Sequence, residues 1–211
     1  MSNHESGNKK GVSQVRENIE AIVIAILLAL FIRTFFVQAY KIPSGSMLET
    51  LQIGDHILVN KLAYGFRIPF FERPLFGEKF PERGEMIVFA YPKDVRKDFI
   101  KRVIGLPGDR IEIRGKALYR NGEPVLNEAY AIHVDSVTYP RTLSPRDNFG
   151  PHIVPEGMLF VMGDNRDNSD DSRFWGYVDA RAVKGRAFMI YWSWDSERAR
   201  PRWSRIGDFL S

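Results

Sequence analysis

The chain has 211 residues, 44% hydrophobic and 27% charged, with a formal net charge of +4. That size fits one domain with an appendage or two small domains, and the mild basic excess suits an anionic surface such as lipid headgroups. The chain has no cysteine, which excludes disulfides, thiolate catalysis and cysteine-based metal sites, and no basic cluster interleaved with aromatic residues indicates nucleic-acid binding.

The N-terminal part predicts a polar tail followed by a membrane anchor. Residues 1–18 are polar, and Ala21 to Ile32 is an uninterrupted apolar run. Twelve helical residues reach only about 18 Å, short of a hydrocarbon core of roughly 30 Å, so a buried core helix or a signal-peptide segment is the alternative. The apolar pattern resumes after Arg33, which can snorkel toward headgroups, and no small-x-small pair follows the run. We therefore predict one retained transmembrane helix over 19–38.

The charges around this segment predict its orientation. Lys9, Lys10 and Arg16 precede the span, which favours a cytoplasmic N-terminus. Arg33 and Lys41 weaken the bias. The remainder of the chain is then expected on the outer, periplasmic face of a bacterial inner membrane.

The stretch YKIPSGSMLETL, directly after the span, has the pattern of a nucleophile turn. Gly45 permits a sharp backbone path, so that Ser46 can present its hydroxyl outward. Backbone N–H groups and the Ser44 hydroxyl can then face a developing oxyanion. The alternative is a Ser/Pro/Gly linker, and PSGS by itself does not exclude it.

The rest of the chain predicts a mainly β protein. Seven short β-type runs are punctuated by Gly, Pro, Asn and Asp, and they lie at 56–60, 85–91, 98–106, 110–114, 116–125, 158–164 and 186–194. Asn121-Gly122 is a hairpin signal. We expect an antiparallel, barrel-like catalytic domain formed by 39–106 and 156–211. A small β domain is predicted as an insert over 107–155.

The segment GFRIPFFERPLFGEKFP, residues 65–81, is rich in phenylalanine. One interpretation is an extended loop with its aromatic side chains in the core. The other is an apolar loop, with Phe66, Phe70 and Phe71 in contact with the membrane next to the anchor. The sequence leaves both open.

A serine nucleophile needs a base, and the pattern favours lysine without excluding histidine. His4 lies in the tail, His56 in a strand, and His133 and His152 in polar loops. A lysine acts as a base only when burial keeps it neutral. In FIKRVIG, Phe99 and Val103 share a strand face with Lys101. The alternative for Lys101 is a solvated lysine at a strand edge. Lys61 is a rival candidate for the base, but it ends a strand beside a predicted loop.

The segment GDNRDNSDDSRFWG, residues 163–176, is rich in acidic residues. An EF-hand frame set on Asp167 fails, because Ser172 stands at position six and Val178 at position twelve. Arg166 and Arg173 lie among the carboxylates. This indicates internal ion pairs that stiffen a loop around a site.

Four segments together resemble the successive motifs of the type I signal peptidases, which are membrane-bound Ser-Lys proteases. They are PSGSM after a membrane span, GDHILVNK (54–61), KRVIGLPGDRI (101–111) and the acidic segment. The last is long and specific, and the resemblance runs from about 18 to 195. Glu49 stands where this family often has proline.

The resemblance implies a role for each matching residue. Ser46 would be the nucleophile and Lys101 the general base, and the Ser44 hydroxyl and Ser46 amide would form the oxyanion hole. Ser169 would hydrogen-bond and orient the lysine. Residues that hold the site together through ion pairs would be Asp171, Arg173, Asp164 and Arg102.

The resemblance also implies a function. The enzyme would remove signal peptides from exported preproteins after small-x-small residues, with the lipid bilayer as its surroundings and without metal or organic cofactor. Two other readings share some of these features. One is a self-cleaving Ser-Lys protease of the repressor type, which would need a DNA-binding domain, and the other is an anchored β scaffold without activity. A class A β-lactamase needs Ser-x-x-Lys, but Glu49 stands three residues after Ser46.

Overall fold

The computed structural model describes residues 6–65, 77, 79–126 and 128–210. These residues form two α-helices and twelve strands, all paired antiparallel. The predicted mainly β fold with one N-terminal apolar helix is confirmed. The helices are α1 (Ser6–Phe35) and α2 (Ser172–Trp175). The strands are β1 (Val37–Lys41), β2 (Asp55–Asn60), β3 (Met86–Tyr91), β4 (Asp94–Gly105), β5 (Arg110–Arg114), β6 (Ala117–Arg120), β7 (Glu123–Pro124), β8 (Phe149–Ile153), β9 (Met158–Met162), β10 (Val178–Asp179), β11 (Val183–Asp195) and β12 (Arg200–Pro201).

Helix α1 contains the predicted membrane segment but differs from it at both ends. Its portion Arg16–Phe35 has a mean hydropathy of 2.0 and is long and apolar enough to cross a membrane. The helix begins at Ser6, inside the predicted tail, because residues 6–18 contain no proline and a helix that has formed extends readily. It ends at Phe35, three residues before the predicted boundary, because Val37 enters β1 and pairs with Asn60.

The larger sheet has the strand order β1-β2-β11-β3-β4-β9-β10, with β12 paired to β11. Strand β3 lies inside it and is buried on both faces. Met86 and Val88 pack into one apolar cluster, whereas Ile87 and Phe89 pack into a second cluster. This alternation is what a two-residue strand period requires. The core therefore lies on both sides of the sheet.

The smaller sheet has the order β7-β6-β5-β8 and lies within the residues predicted as an insert. Its hairpin turns at Asn121 and Gly122, with φ of 57° and 90°, as the Asn-Gly signal predicts. Ile111 of β5 packs in one apolar cluster with Ile104 of β4 and Phe160 of β9. The two sheets therefore share this part of the core, and an independent domain over 107–155 stays a prediction.

Strand β4 carries the chain from the surface into the core. Its first residues are exposed, and Lys101 to Gly105 are buried. The strand lies between β3 and β9, with Lys101 opposite Ile87. A lysine at this point is enclosed by neighbouring strands on both sides.

Candidate active site

The turn that carries Ser46 is fastened at both ends by buried apolar residues. Ile42 and Met47 are 3% and 1% exposed and belong to one core cluster together with Leu51. The Leu51 N–H donates to the Met47 carbonyl at 2.8 Å. Gly45 does not adopt a positive φ, and a Cβ there would lie 2.9 Å from Leu48 Cδ1. The glycine therefore provides space for a compact turn.

The side chains of Lys101 and Ser46 meet, although 55 residues separate them in the chain. Lys101 Nζ lies 2.6 Å from Ser46 Oγ, which is a hydrogen-bond distance. Lys101 is 4% exposed. Burial lowers the pKa of Lys101 to about 8, although the carboxylates of Asp171, Asp170 and Asp164 oppose the shift. Proton transfer between this amine and this hydroxyl is geometrically possible near neutral pH.

An aromatic side chain provides part of the apolar cover over the amine. Lys101 Nζ lies 5.6 Å from the ring centroid of Phe99, which precedes it on the same face of β4. Phe99 stacks on Tyr91 with centroids 4.2 Å apart. The predicted sharing of one strand face by Phe99, Lys101 and Val103 agrees with the packing of Phe99 and Val103 in one cluster.

Asn165 holds the backbone of the Ser46 turn from outside. Its Nδ2 donates to the Gly45 carbonyl at 3.0 Å, and its N–H donates to the Ser46 carbonyl at 3.2 Å. Within the described ranges the Ser46 N–H has no hydrogen-bond acceptor, and the side chain of Ser44 is exposed. The turn thus keeps one backbone donor free. We did not predict this role of Asn165, because nothing in the local sequence links it to a turn 120 residues away.

Ser169 lies beside the turn, but without the contact that the resemblance implies. It is 6% exposed, and its Oγ lies by the Asp171 carboxylate, whose pKa it helps to lower, rather than within hydrogen-bond distance of Lys101. The expected hydrogen bond to Lys101 is therefore not formed. A Cβ at Gly163 would lie 2.3 Å from both Ser169 Oγ and the Ser46 carbonyl oxygen. Only glycine lets these groups approach, since real Cβ atoms do not come so close.

Asp171 and Arg173 form a buried ion pair under the site. Arg173 Nε and Nη2 each donate to Asp171 at 2.8 Å, and the Gly163 N–H donates to Asp171 at 3.1 Å. Burial alone would raise the pKa of Asp171, but Arg173 brings it below its ordinary value. The pair fixes the start of α2 and the backbone at Gly163.

Arg102, the residue after Lys101, forms a second buried pair with Asp164. Arg102 Nε and Nη2 donate to the two oxygens of Asp164 at 2.9 and 2.8 Å, and both side chains are at most 3% exposed. Thr50 Oγ1 donates to Asp164 at 2.6 Å, and Arg102 Nη1 donates to the Gly84 carbonyl at 2.7 Å. This network ties β4 to the Ser46 turn and to the acidic segment. All four site-support residues implied by ion pairing are thus paired with one another.

A third cluster joins the acidic segment to the smaller sheet, and the sequence did not predict it. Lys116 Nζ donates to Asp167 at 2.8 Å, and Arg146 pairs with Asp147 at 2.8 Å. Burial alone would raise the pKa of Asp167, but its bond from Lys116 and other donors lower it to about 2. Arg166 also pairs with Glu128. The partners are distant in sequence, so no local pattern could reveal them.

The other candidates lie elsewhere. His56 has its Nδ1 3.5 Å from the Tyr191 hydroxyl, His133 lies 3.4 Å from Asp167, and His152 packs on Phe149. Lys61 Nζ donates to the Thr34 carbonyl. None of these four side chains has a recorded contact with Ser46 in the described part of the chain.

Four of the residues singled out in the sequence lie outside the described ranges. His4 and the proposed membrane-contact residues Phe66, Phe70 and Phe71 lie outside the described residues. Over the ranges that are described, no group of three or more His, Asp or Glu side chains is placed to hold a metal ion.

Comparison with known proteins identifies one family model and several relatives that match most of the chain. A family model described as signal peptidase, peptidase S26, matches residues 15–192. Signal peptidase I of Pseudomonas aeruginosa is 37% identical, over 86% of this chain and 75% of its own length. Signal peptidase I of Leptolyngbya laminosa is 40% identical, over 87% and 82%. A signal peptidase I structure from Enterococcus faecalis is 34% identical and covers 51% of this chain and 97% of its own, with a TM-score of 0.41.

Proposed function

The chain is a peptidase of the signal peptidase family, S26, and on this premise we propose that it cleaves signal peptides from exported preproteins by a Ser46–Lys101 dyad. The observation that carries the proposal is the 2.6 Å approach of Lys101 Nζ to Ser46 Oγ in a buried setting. A hydroxyl becomes an effective nucleophile only when a neighbouring base removes its proton. Here the only group placed to do so, among the described residues, is a lysine whose pKa is lowered toward neutrality.

The proposed reaction follows from these positions. The neutral Lys101 amine takes the proton of Ser46, and Oγ forms a bond to the carbonyl carbon of the substrate. The Lys101 ammonium then gives its proton to the leaving nitrogen as the C–N bond breaks. Water, deprotonated by the same amine, hydrolyses the resulting ester.

The oxyanion of the tetrahedral intermediate needs donors that are already in place. The Ser46 N–H has no acceptor in the described part of the chain, and the Ser44 side chain is exposed beside it. We assign these two groups to the oxyanion hole. Asn165 supports the assignment, because its bonds to the Gly45 and Ser46 carbonyls hold the turn in one orientation.

Site support is assigned to the two buried ion pairs, Arg102–Asp164 and Asp171–Arg173. They join the strand of the base, the turn of the nucleophile and the acidic segment between them. Ser169 is included as a positioning residue, because its hydroxyl is buried next to Gly163, Ser46 and the Asp171 carboxylate.

The substrate and its location are proposed from the family and the anchor. Preproteins would bind as an extended strand, with small residues at the first and third positions before the cleaved bond. Helix α1 would hold the enzyme in the inner membrane, with the N-terminus cytoplasmic and the catalytic part periplasmic. Residues 39–106 and 156–211 would form the catalytic domain and 107–155 its insert. Membrane contact by Phe66, Phe70 and Phe71 is part of this proposal.

The test is preprotein processing by the full chain in detergent. Ser46→Ala and Lys101→Met should each abolish processing, because one removes the nucleophile and the other removes the base at nearly constant volume. Lys97→Met, an exposed substitution on the same strand, should process normally. Near wild-type processing by either site variant would refute the role of that residue. An inactive wild-type chain would favour the scaffold alternative, and cleavage of the chain by itself would favour the self-cleaving protease.

A further inference from the structure

A cavity of about 900 Å³ lies where the anchor helix meets the larger sheet. One wall is the last two turns of α1, with Ala29, Leu30 and Arg33. The other wall is the β1–β2 hairpin, with Leu58 and Lys61. This cavity takes no part in the proposed chemistry, since none of its lining residues belongs to the active site.

The position of the cavity determines what can fill it. The span Arg16–Phe35 is not buried by any part of the described chain, so its apolar side chains face lipid when it crosses a bilayer. Its last two turns then lie where hydrocarbon gives way to headgroups, and Arg33 marks that level. A cavity open at this depth suits a lipid molecule, because its lining combines apolar residues that match an acyl chain with polar residues that match a headgroup.

The charges at the mouth of the cavity select the headgroup. Arg33 and Lys61 are its only charged lining residues, and no described carboxylate lines it. Lys61 Nζ donates one hydrogen bond, to the Thr34 carbonyl at 2.5 Å, which leaves two N–H groups for another acceptor. Burial and then the nearby Lys184 lower the pKa of Lys61. Arg33 has no ion-pair partner in the described part of the chain.

We propose that this cavity binds an anionic phospholipid, with its phosphate between Arg33 and Lys61 and one acyl chain along Ala29 and Leu30. Two cations without a described carboxylate favour a net negative headgroup over a zwitterionic one. The bound lipid fills the angle between α1 and the β1–β2 hairpin. It thereby fixes how the catalytic part stands on the membrane. The inference is independent of the proposed function, since it requires neither Ser46 nor Lys101.

The test is lipid retention by the full chain, purified in mild detergent and measured by native mass spectrometry. Phosphatidylglycerol and phosphatidylcholine are offered at equal concentration. The wild type should retain phosphatidylglycerol at least about fivefold more, since each charged contact contributes on the order of 1 kcal/mol. Arg33→Gln combined with Lys61→Gln should remove this preference. Lys41→Gln removes a charge from the same hairpin outside the cavity and should keep it.

A second variant separates a lost site from a lost fold. Ala29→Phe keeps both charges and places a ring in the space assigned to the acyl chain, so it should also reduce phosphatidylglycerol retention severalfold. If the double variant cannot be purified in a folded state, the Ala29→Phe variant alone tests whether the lipid binds in the cavity. The proposal is overturned if the wild type shows no headgroup preference, or if the folded double variant or Ala29→Phe retains phosphatidylglycerol as the wild type does. It is also overturned if millimolar inorganic phosphate displaces the lipid completely, because that would show a site for free phosphate.

Discussion

Replacing Phe99 by Ser should change the pH dependence of the enzyme without changing its chemistry. The Phe99 ring lies 5.6 Å from Lys101 Nζ and covers it on the shared strand face. A smaller, polar side chain admits water to the amine, and water favours the ammonium form. The pKa of Lys101 should therefore rise from about 8 toward its ordinary value of 10.5.

The size of the effect follows from the fraction of Lys101 that is neutral. With a pKa of about 8, that fraction at pH 7 is about one in eleven, whereas at the ordinary value of 10.5 it would be roughly one in three thousand. If neutral Lys101 is the base, as proposed, burial would thus supply a roughly 300-fold gain in reactive enzyme at pH 7. A rise of one unit in Phe99→Ser would lower the neutral fraction, and with it kcat/KM at pH 7, about tenfold.

The assay is kcat/KM for a peptide substrate between pH 6 and pH 10, with the full chain in detergent. The rate should rise with pH through the pKa of the free enzyme's base, so the wild-type midpoint is expected near 8. Phe99→Ser should move the midpoint to higher pH and reach the same rate above it. Val95→Ser, at a position 70% exposed near the start of the same strand, is the control and should change nothing. The reasoning is refuted if the Phe99→Ser midpoint stays at the wild-type value, whether or not the limiting rate falls.

Three further predictions test the support of the site. Arg102→Met leaves the Asp164 carboxylate buried without its partner. The free energy of unfolding, measured with denaturant, should therefore fall by about 3–5 kcal/mol. A decrease below about 1 kcal/mol would contradict the importance of the pair. Gly163→Ala places a Cβ 2.3 Å from the Ser46 carbonyl oxygen, so kcat should fall roughly a hundredfold while the chain stays folded, and unchanged kinetics would contradict the geometry. The pKa of Asp167 is about 2, against an ordinary value of 3.8, so its ionised form contributes stability above about pH 4 that is lost as pH falls toward 2. Asp167→Asn should therefore make the free energy of unfolding depend less on pH in this range. An unchanged pH dependence would exclude the contribution.

Much of the sheet could be predicted because its strands carry their own signals. The apolar runs at β3, β4, β9 and β11 lie between turn residues, and Asn121-Gly122 marks a hairpin by its backbone preference alone. Lys101 could be found for a related reason, since an amine between apolar residues in a strand has to be buried with them. These are local patterns, and secondary structure and burial follow from them.

The remaining features depend on pairing between distant segments. Strand β1 continues the apolar run of the span, and only its ladder with β2 makes it a strand. Asn165 reaches a turn 120 residues away, and Gly163 is required by a contact with Ser46 that no neighbouring residue reveals. Strand β8 contains a Gly-Pro pair, which indicates a turn in the sequence. The residues on either side of it pair with β5, and the ladder shifts register at the Gly-Pro pair, so the strand accommodates the irregularity.

The short distance between the anchor and the sheet sets the reach of the enzyme. Helix α1 ends at Phe35 and β1 begins at Val37, so there is no slack in the tether between them. A strand of five residues is about 17 Å long, and it is clamped to β2 along its whole length. On the proposed function, Ser46 would therefore stand at a fixed height above the bilayer. A preprotein would then be cut only where its extended segment reaches that height.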